Sequence, residues 1–132
     1  MRFVMIIAAG LIAAAAAWQL NNFLQRLGQH WSIAWLAPLV EESSKTGFAV
    51  VFSTSLPGTH FIFGFIEAIY DYFTPPNSGI TTWLTSILGH LGFGLLTLYL
   101  WELTGNFLWG WLGAVISHLI WNNIVLRLPY GN

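Results

Sequence analysis

Apolar runs alternate with short polar or turn-forming interruptions along the chain, and the interruptions mark off five candidate helices. Phe3 to Ala17 is apolar throughout, ends in five alanines and meets Trp18. It predicts a first helix running to about Leu24, with Trp18 near an interface. Behind Arg2, and with Ala15-Ala16-Ala17 as a small-residue cleavage pattern, the same stretch also reads as a signal peptide. The retained helix is the expectation, because the run is long enough to continue past the alanines. Asn21, Asn22, Gln25, Arg26, Gly28, Gln29 and His30 predict a polar connector. The second helix spans Trp31 to Phe52, with Trp31 and Trp35 at headgroup level and Pro38 placed to kink it. Ser53 to Gly58 reads as a break with a Pro57-Gly58 turn signal. The third segment, Thr59 to Phe73, is short for a membrane span, so it is tilted, re-entrant, or begins before the turn. Pro75-Pro76-Asn77 sets a turn between Thr74 and Gly79. A fourth helix follows from Ile80 to Leu103, with Trp83 and Trp101 near its ends. Gly105 and Asn106 break the chain again, and a fifth helix covers Phe107 to Leu128, with Trp109 and Trp111 at its start and Arg127 at its end.

Composition turns this pattern into a class. Of 132 residues, 56% are hydrophobic and only 7% are charged, against about 25% charged in a soluble domain. The expectation is an all-α, polytopic membrane bundle of about five transmembrane helices. It forms one integral membrane domain over 1–132, with a possible first helix or signal-like segment at 3–24 and a motif-bearing core at 31–128. The bilayer is then its main partner and the location a multi-pass one in the cell membrane. A net charge of −1 offers no footprint for nucleic acid, and an oligomer is compatible with so small a bundle. The absence of cysteine excludes thiolate metal sites, disulfides and Cys nucleophiles. Arg2, Arg26 and Arg127 are the flanking cations, and in a five-helix topology they favour a cytoplasmic C-terminus.

Against that apolar background the ionisable residues stand out. The run from Trp31 to Phe52 would be roughly 33 Å long as a helix, about the thickness of a bilayer's hydrocarbon core. Glu41, Glu42 and Lys45 then lie near its midplane, where each charged group costs about 2.5–3.5 kcal/mol. Pairing at i,i+4 and i,i+3 lowers the cost. One Lys cannot neutralise two adjacent carboxylates, so a proton, a metal or a second cation is still needed. On the third segment, His60, Gly64, Glu67 and Asp71 share one helical stripe. Asp71, between Tyr70 and Tyr72, reads as interfacial and structural, and Glu67 as the deeper, site-side carboxylate. His90 sits mid-helix among Gly89, Gly92 and Gly94, small residues that admit a close neighbouring helix. His118 and Asn122 are four apart on one face of the fifth helix, with Trp121 too deep for an interfacial belt.

The acidic pair, His90 and His118 with Asn122 thus reach about the same depth from three helices, and Glu67 joins from a fourth. Two chemistries fit. A glutamate near neutrality can deprotonate a water while His and Asn stabilise the oxyanion. Alternatively, His90, His118 and one of Glu41 or Glu42 match the ligand set of catalytic Zn2+, with the second Glu as base. Either ends in hydrolysis of an amide within the membrane, and which Glu is the base stays open. Ser43, Ser44 and Ser117 give no plausible nucleophile, Ser117 facing a different side of the helix from its neighbour His118.

Glu41-Glu42-x-x-Lys45 in one membrane helix, a mid-helix His90 and the later His118-x-x-Trp121-Asn122 resemble the PrsW family of intramembrane proteases. That family is related to the CAAX prenyl protease (CPBP) group, whose first motif is Glu-Glu-x-x-x-Arg and whose last is His-x-x-x-Asn. Lys45 makes PrsW the closer match, and Gly64-Phe65-Ile66-Glu67 resembles its Gly- and Phe-rich segment ending in Glu. The resemblance covers about Ala37 to Asn122. It implies Glu41, Glu42, His90, His118 and Asn122 as site residues, Lys45 and Glu67 in support, and a membrane-anchored peptide or protein as substrate. Two other classes compete. Buried Glu, His and Lys also suit a proton- or cation-coupled transport or channel subunit. A small accessory subunit without chemistry would have no use for the polar set.

Overall fold

A computed structural model describes residues 1–26, 30–74 and 80–125. They form α1 (Arg2–Arg26), α2 (His30–Val51), α3 (Leu56–Phe73), α4 (Ile80–Thr104) and α5 (Phe107–Val125), with no strand among the described residues. Two of these helices, α1 and α4, are long and apolar enough to cross a membrane.

Two boundaries depart from the sequence pattern, each for a local reason. Asn21, Asn22, Gln25 and Arg26 are the last turns of α1 and not a connector. Gln, Leu and Arg are good helix formers, and the amide of Asn21 finds a buried acceptor on α2. The remaining connector residues Gly28 and Gln29 lie outside the described residues, and His30 opens α2. Pro57-Gly58 begins a helix instead of a turn. Ser55 is the N-cap, its hydroxyl accepts from Gly58 N at 3.2 Å, and Pro57 stands in the first turn, where its missing N–H costs nothing. The third segment therefore begins before the turn signal and has 18 residues, enough for about 27 Å of helix.

The other ends follow their signals. α2 runs through Pro38 without interruption. It closes with Ser53 at φ +49°, while Ser53 N donates to Val50 O and Thr54 N to Ala49 O, both at 2.9 Å. This is a Schellman motif with serine where glycine is usual. Gly105, at φ +68°, ends α4, and the Asn106 side chain caps α5 by accepting from Leu108 N at 3.0 Å. The Pro75-Pro76-Asn77 turn, Arg127 with the end of the fifth run, and the side chain of Trp31 lie outside the described residues.

The helices close on one another in the order α1, α3, α4, α5, α2, with α2 also reaching α3. The most extensive contact is α3 with α4, and two glycines explain it. A Cβ on Gly64 of α3 would lie 2.8 Å from His90 Cβ, and one on Gly94 of α4 would lie 2.8 Å from His60 Cβ and 3.0 Å from Pro57 Cα. Each helix thus lays a histidine on the other's bare backbone, a spacing that any side chain there would open. The burial pattern is inverted relative to a soluble bundle. Lys45, His60, Glu42, Thr59, Thr97 and Pro38 are the largest fully buried side chains, while Phe23, Leu88, Leu95, Ile116 and Ile120 are exposed. A small apolar cluster of Ala13, Ala17 and Phe63, flanked by Ala14, Val40 and Phe48, joins α1, α2 and α3 beside the polar interior.

Candidate functional site

The polar interior is built around α2. Glu41, Glu42 and Lys45 fall on its inward side and are buried, Glu42 and Lys45 completely. The Lys45 ammonium donates to Glu42 Oε1 at 2.6 Å and to His90 Nδ1 at 2.7 Å, and lies 4.5 Å from the centre of the Phe63 ring. An ammonium only donates, so Nδ1 of His90 accepts, and the ring proton is on Nε2, from which it is donated to Glu67 Oε2. Ser86 Oγ donates to the same Glu67 oxygen at 2.9 Å. From α5, His118 Nδ1 donates to Glu42 Oε1 at 2.8 Å. Its ring stacks on Phe93 at 4.7 Å and meets the His90 ring edge-on at 5.2 Å.

The adjacent carboxylates therefore have different surroundings. Glu42 Oε1 carries Lys45 and His118, and its Oε2 lies 3.6 Å from His60 Nδ1. Glu41 receives one hydrogen bond, from Asn21 Nδ2 to Oε1 at 3.3 Å. Its Oε2 is buried without a hydrogen-bond partner and lies 3.9 Å from His118 Nε2. Glu42 is an anchor, and Glu41 presents a free oxygen.

Of the residues singled out in the sequence, Glu41, Glu42, Lys45, His90 and His118 come together, and Glu67 joins through His90. Glu67 is also the outlet of the cluster, its side chain 36% exposed. Asn122 lies one turn beyond His118 and is partly buried. Among the described residues its amide has no hydrogen-bond partner, whereas the neighbouring Asn123 donates to Leu119 O at 2.8 Å. Trp121 lies over Gly89 at the edge of the cluster. Asp71 is partly buried near the end of α3.

Two participants were not assigned to the site from sequence. His60 is fully buried beside Glu42, and neither ring nitrogen has a hydrogen-bond partner. Its signal was the stripe it shares with Gly64 and Glu67. Asn21 looked like part of a connector, and nothing in its sequence context marks it as a partner of Glu41. One ligand atom each from Glu41, His90 and His118 lies within 4.8 Å of the others, close enough together to hold a metal ion.

The chain matches no protein-family model, and neither a curated protein nor a solved structure matches it.

Proposed function

We propose that the chain is a multi-pass membrane protein with five spanning helices and that its buried cluster hydrolyses peptide bonds of membrane-associated substrates, as an intramembrane protease of the PrsW kind. The inverted burial supports the membrane setting. Apolar side chains face outward on all five helices, and Glu41, Glu42, Lys45, His60, His90 and His118 are enclosed. The observation that carries the hydrolytic reading is the pair of free acceptors, Glu41 Oε2 and His118 Nε2, 3.9 Å apart.

His118 gives its one ring proton to Glu42, so Nε2 offers a lone pair toward Glu41. A substrate water donating one hydrogen to each acceptor keeps its own lone pairs free for attack on a carbonyl carbon. As the C–O bond forms, Glu41 takes the proton from the water. It then delivers that proton to the amine nitrogen as the C–N bond breaks. Glu42 orients His118 as the buried Asp orients the histidine of a catalytic triad. The Asn122 amide, one turn from His118 and without a hydrogen-bond partner among the described residues, is the donor offered to the oxyanion.

The ligand set for Zn2+ fits by distance but not by lone pairs. Glu41 Oε2 and His118 Nε2 are free, whereas both nitrogens of His90 are engaged, one by Lys45 and one by Glu67. No step is therefore assigned to a metal. The test is cleavage of a membrane-anchored reporter by Glu41→Gln. A general base contributes about 10²–10⁴-fold in rate, so cleavage should fall by that factor while the protein stays folded in detergent. Full cleavage by the variant overturns the assignment.

One observation favours a second reading. Glu67, His90, Lys45, Glu42 and His118 form an unbroken hydrogen-bonded line from a partly exposed carboxylate to the interior. Such a line suits a proton- or cation-conducting subunit. Proton flux into proteoliposomes, together with an uncut reporter, selects it.

A further inference from the structure

The 4.8 Å grouping of Glu41, His90 and His118 invites a metal, and one residue denies it. A ligand must offer a lone pair, and zinc sits about 2.0–2.1 Å from an imidazole nitrogen. On the Nδ1 side of His90 that space is occupied by the Lys45 ammonium at 2.7 Å. Binding through Nε2 instead would move the ring proton to Nδ1, where it would point at the ammonium hydrogens. The same cation closes both nitrogens. What remains is Glu41 with His118, one ligand short of the three that hold catalytic zinc.

We propose that Lys45 acts as a built-in substitute for a metal ion, and that Glu41, His90 and His118 form a latent three-ligand site for a divalent cation such as Zn2+ or Co2+, which opens when the ammonium is removed. The proposal deepens the metal-free reading above and rests on it. The latent site is already oriented. His90 gives its Nε2 proton to Glu67, and His118 gives its Nδ1 proton to Glu42. A carboxylate behind each histidine is the arrangement that fixes ring and tautomer in metal-bound histidines. Both remaining nitrogens then carry lone pairs, and Glu41 Oε2 has no competing partner.

Co2+ titration of the purified full-length chain in detergent, read by the visible absorption of a tetrahedral centre, tests this without any substrate. A failed protease assay therefore leaves the result standing. The variant is Glu42→Gln with Lys45→Met, which removes both charges of the buried pair and leaves the Gln carbonyl to accept from His118. Wild type should bind no stoichiometric Co2+. The double variant should bind one equivalent at least about 100-fold more tightly, the upper scale of outer-sphere effects on metal affinity, and adding His90→Ala should abolish the signal. Stoichiometric binding by wild type that is lost in His90→Ala overturns the proposal. So does a folded double variant that binds no more tightly than wild type. Should the double variant fail to fold, wild type against His90→Ala still decides. Absence of binding in both supports the proposal, and His90-dependent binding sinks it.

Discussion

Lys45→Met is the most informative single perturbation of stability, because the structure supplies every part of the estimate. Lys45 and Glu42 are both wholly buried and paired at 2.6 Å. Removing one member of such a pair leaves an uncompensated interior charge, at about 3–5 kcal/mol. The lost donor to His90 Nδ1 adds about 1–3 kcal/mol for a buried acceptor left unmade. Glu42→Gln should cost less, near the low end of that 3–5 kcal/mol range, because the amide oxygen still accepts from His118 and Lys45 keeps His90. The double variant replaces the ion pair by neutral groups of similar size, a change that is often nearly neutral, at about 0–2 kcal/mol, and keeps the same loss of about 1–3 kcal/mol at His90 Nδ1, which cancels in the cycle. The cycle should therefore show a favourable coupling of at least ~4 kcal/mol, large against a typical total of about 5–15 kcal/mol. Unfolding by SDS in mixed micelles, followed by tryptophan fluorescence and circular dichroism, measures all four corners. If the two single losses simply add in the double variant, the buried pair does not act as a unit and the account of the interior is wrong.

Ser53→Gly should stabilise the protein by about 0.5–1 kcal/mol in the same unfolding assay, since the left-handed position carries a strain that glycine lacks; a loss of stability would show that the Ser53 side chain matters more than its backbone angle. Gly94→Ala places a methyl group 2.8 Å from His60 Cβ, so α3 and α4 must part, at about 1–3 kcal/mol, and reporter cleavage should drop with the displaced Glu67–His90 contact; unchanged stability refutes the close approach. A strong chelator should leave cleavage by wild type intact, and recovery of a chelated, inactive enzyme by zinc would reverse the metal-free assignment.

The number and order of the helices were readable from the chain because long apolar runs leave few alternatives, and all five helices appear among the described residues, with α1 and α3 longer than expected. One error lies at a polar residue whose partner is distant in sequence, the other at a local capping signal. Asn21 reads as a connector until Glu41, twenty residues away, is placed opposite it. Pro57-Gly58 reads as a turn because the same pair opens a helix when a serine caps it from two residues before the proline. Within the site, residue types and depths brought Glu41, Glu42, Lys45, His90 and His118 together on paper, since each costs too much in an apolar interior to be there singly. The division of labour between Glu41 and Glu42 was not readable. Neighbours on one helix differ in which side chains reach them, and here His118 from α5 and Lys45 from α2 itself converge on Glu42 alone at hydrogen-bond distance.

The reciprocal packing of Gly64 with His90 and Gly94 with His60 also bears on how anything reaches the interior. With a histidine seated on each opposing backbone, α3 and α4 are locked as a plate, and neither can slide or part without losing both contacts. The seam between α2 and α5 is shorter, and a hydrogen bond from Trp111 Nε1 to Ser43 Oγ at 3.2 Å crosses it at the exposed edge. Glu41 and His118 face each other across this same seam. On the proposed protease reading, an unwound substrate strand enters between α2 and α5, with the α3–α4 plate as the fixed wall beside its scissile bond.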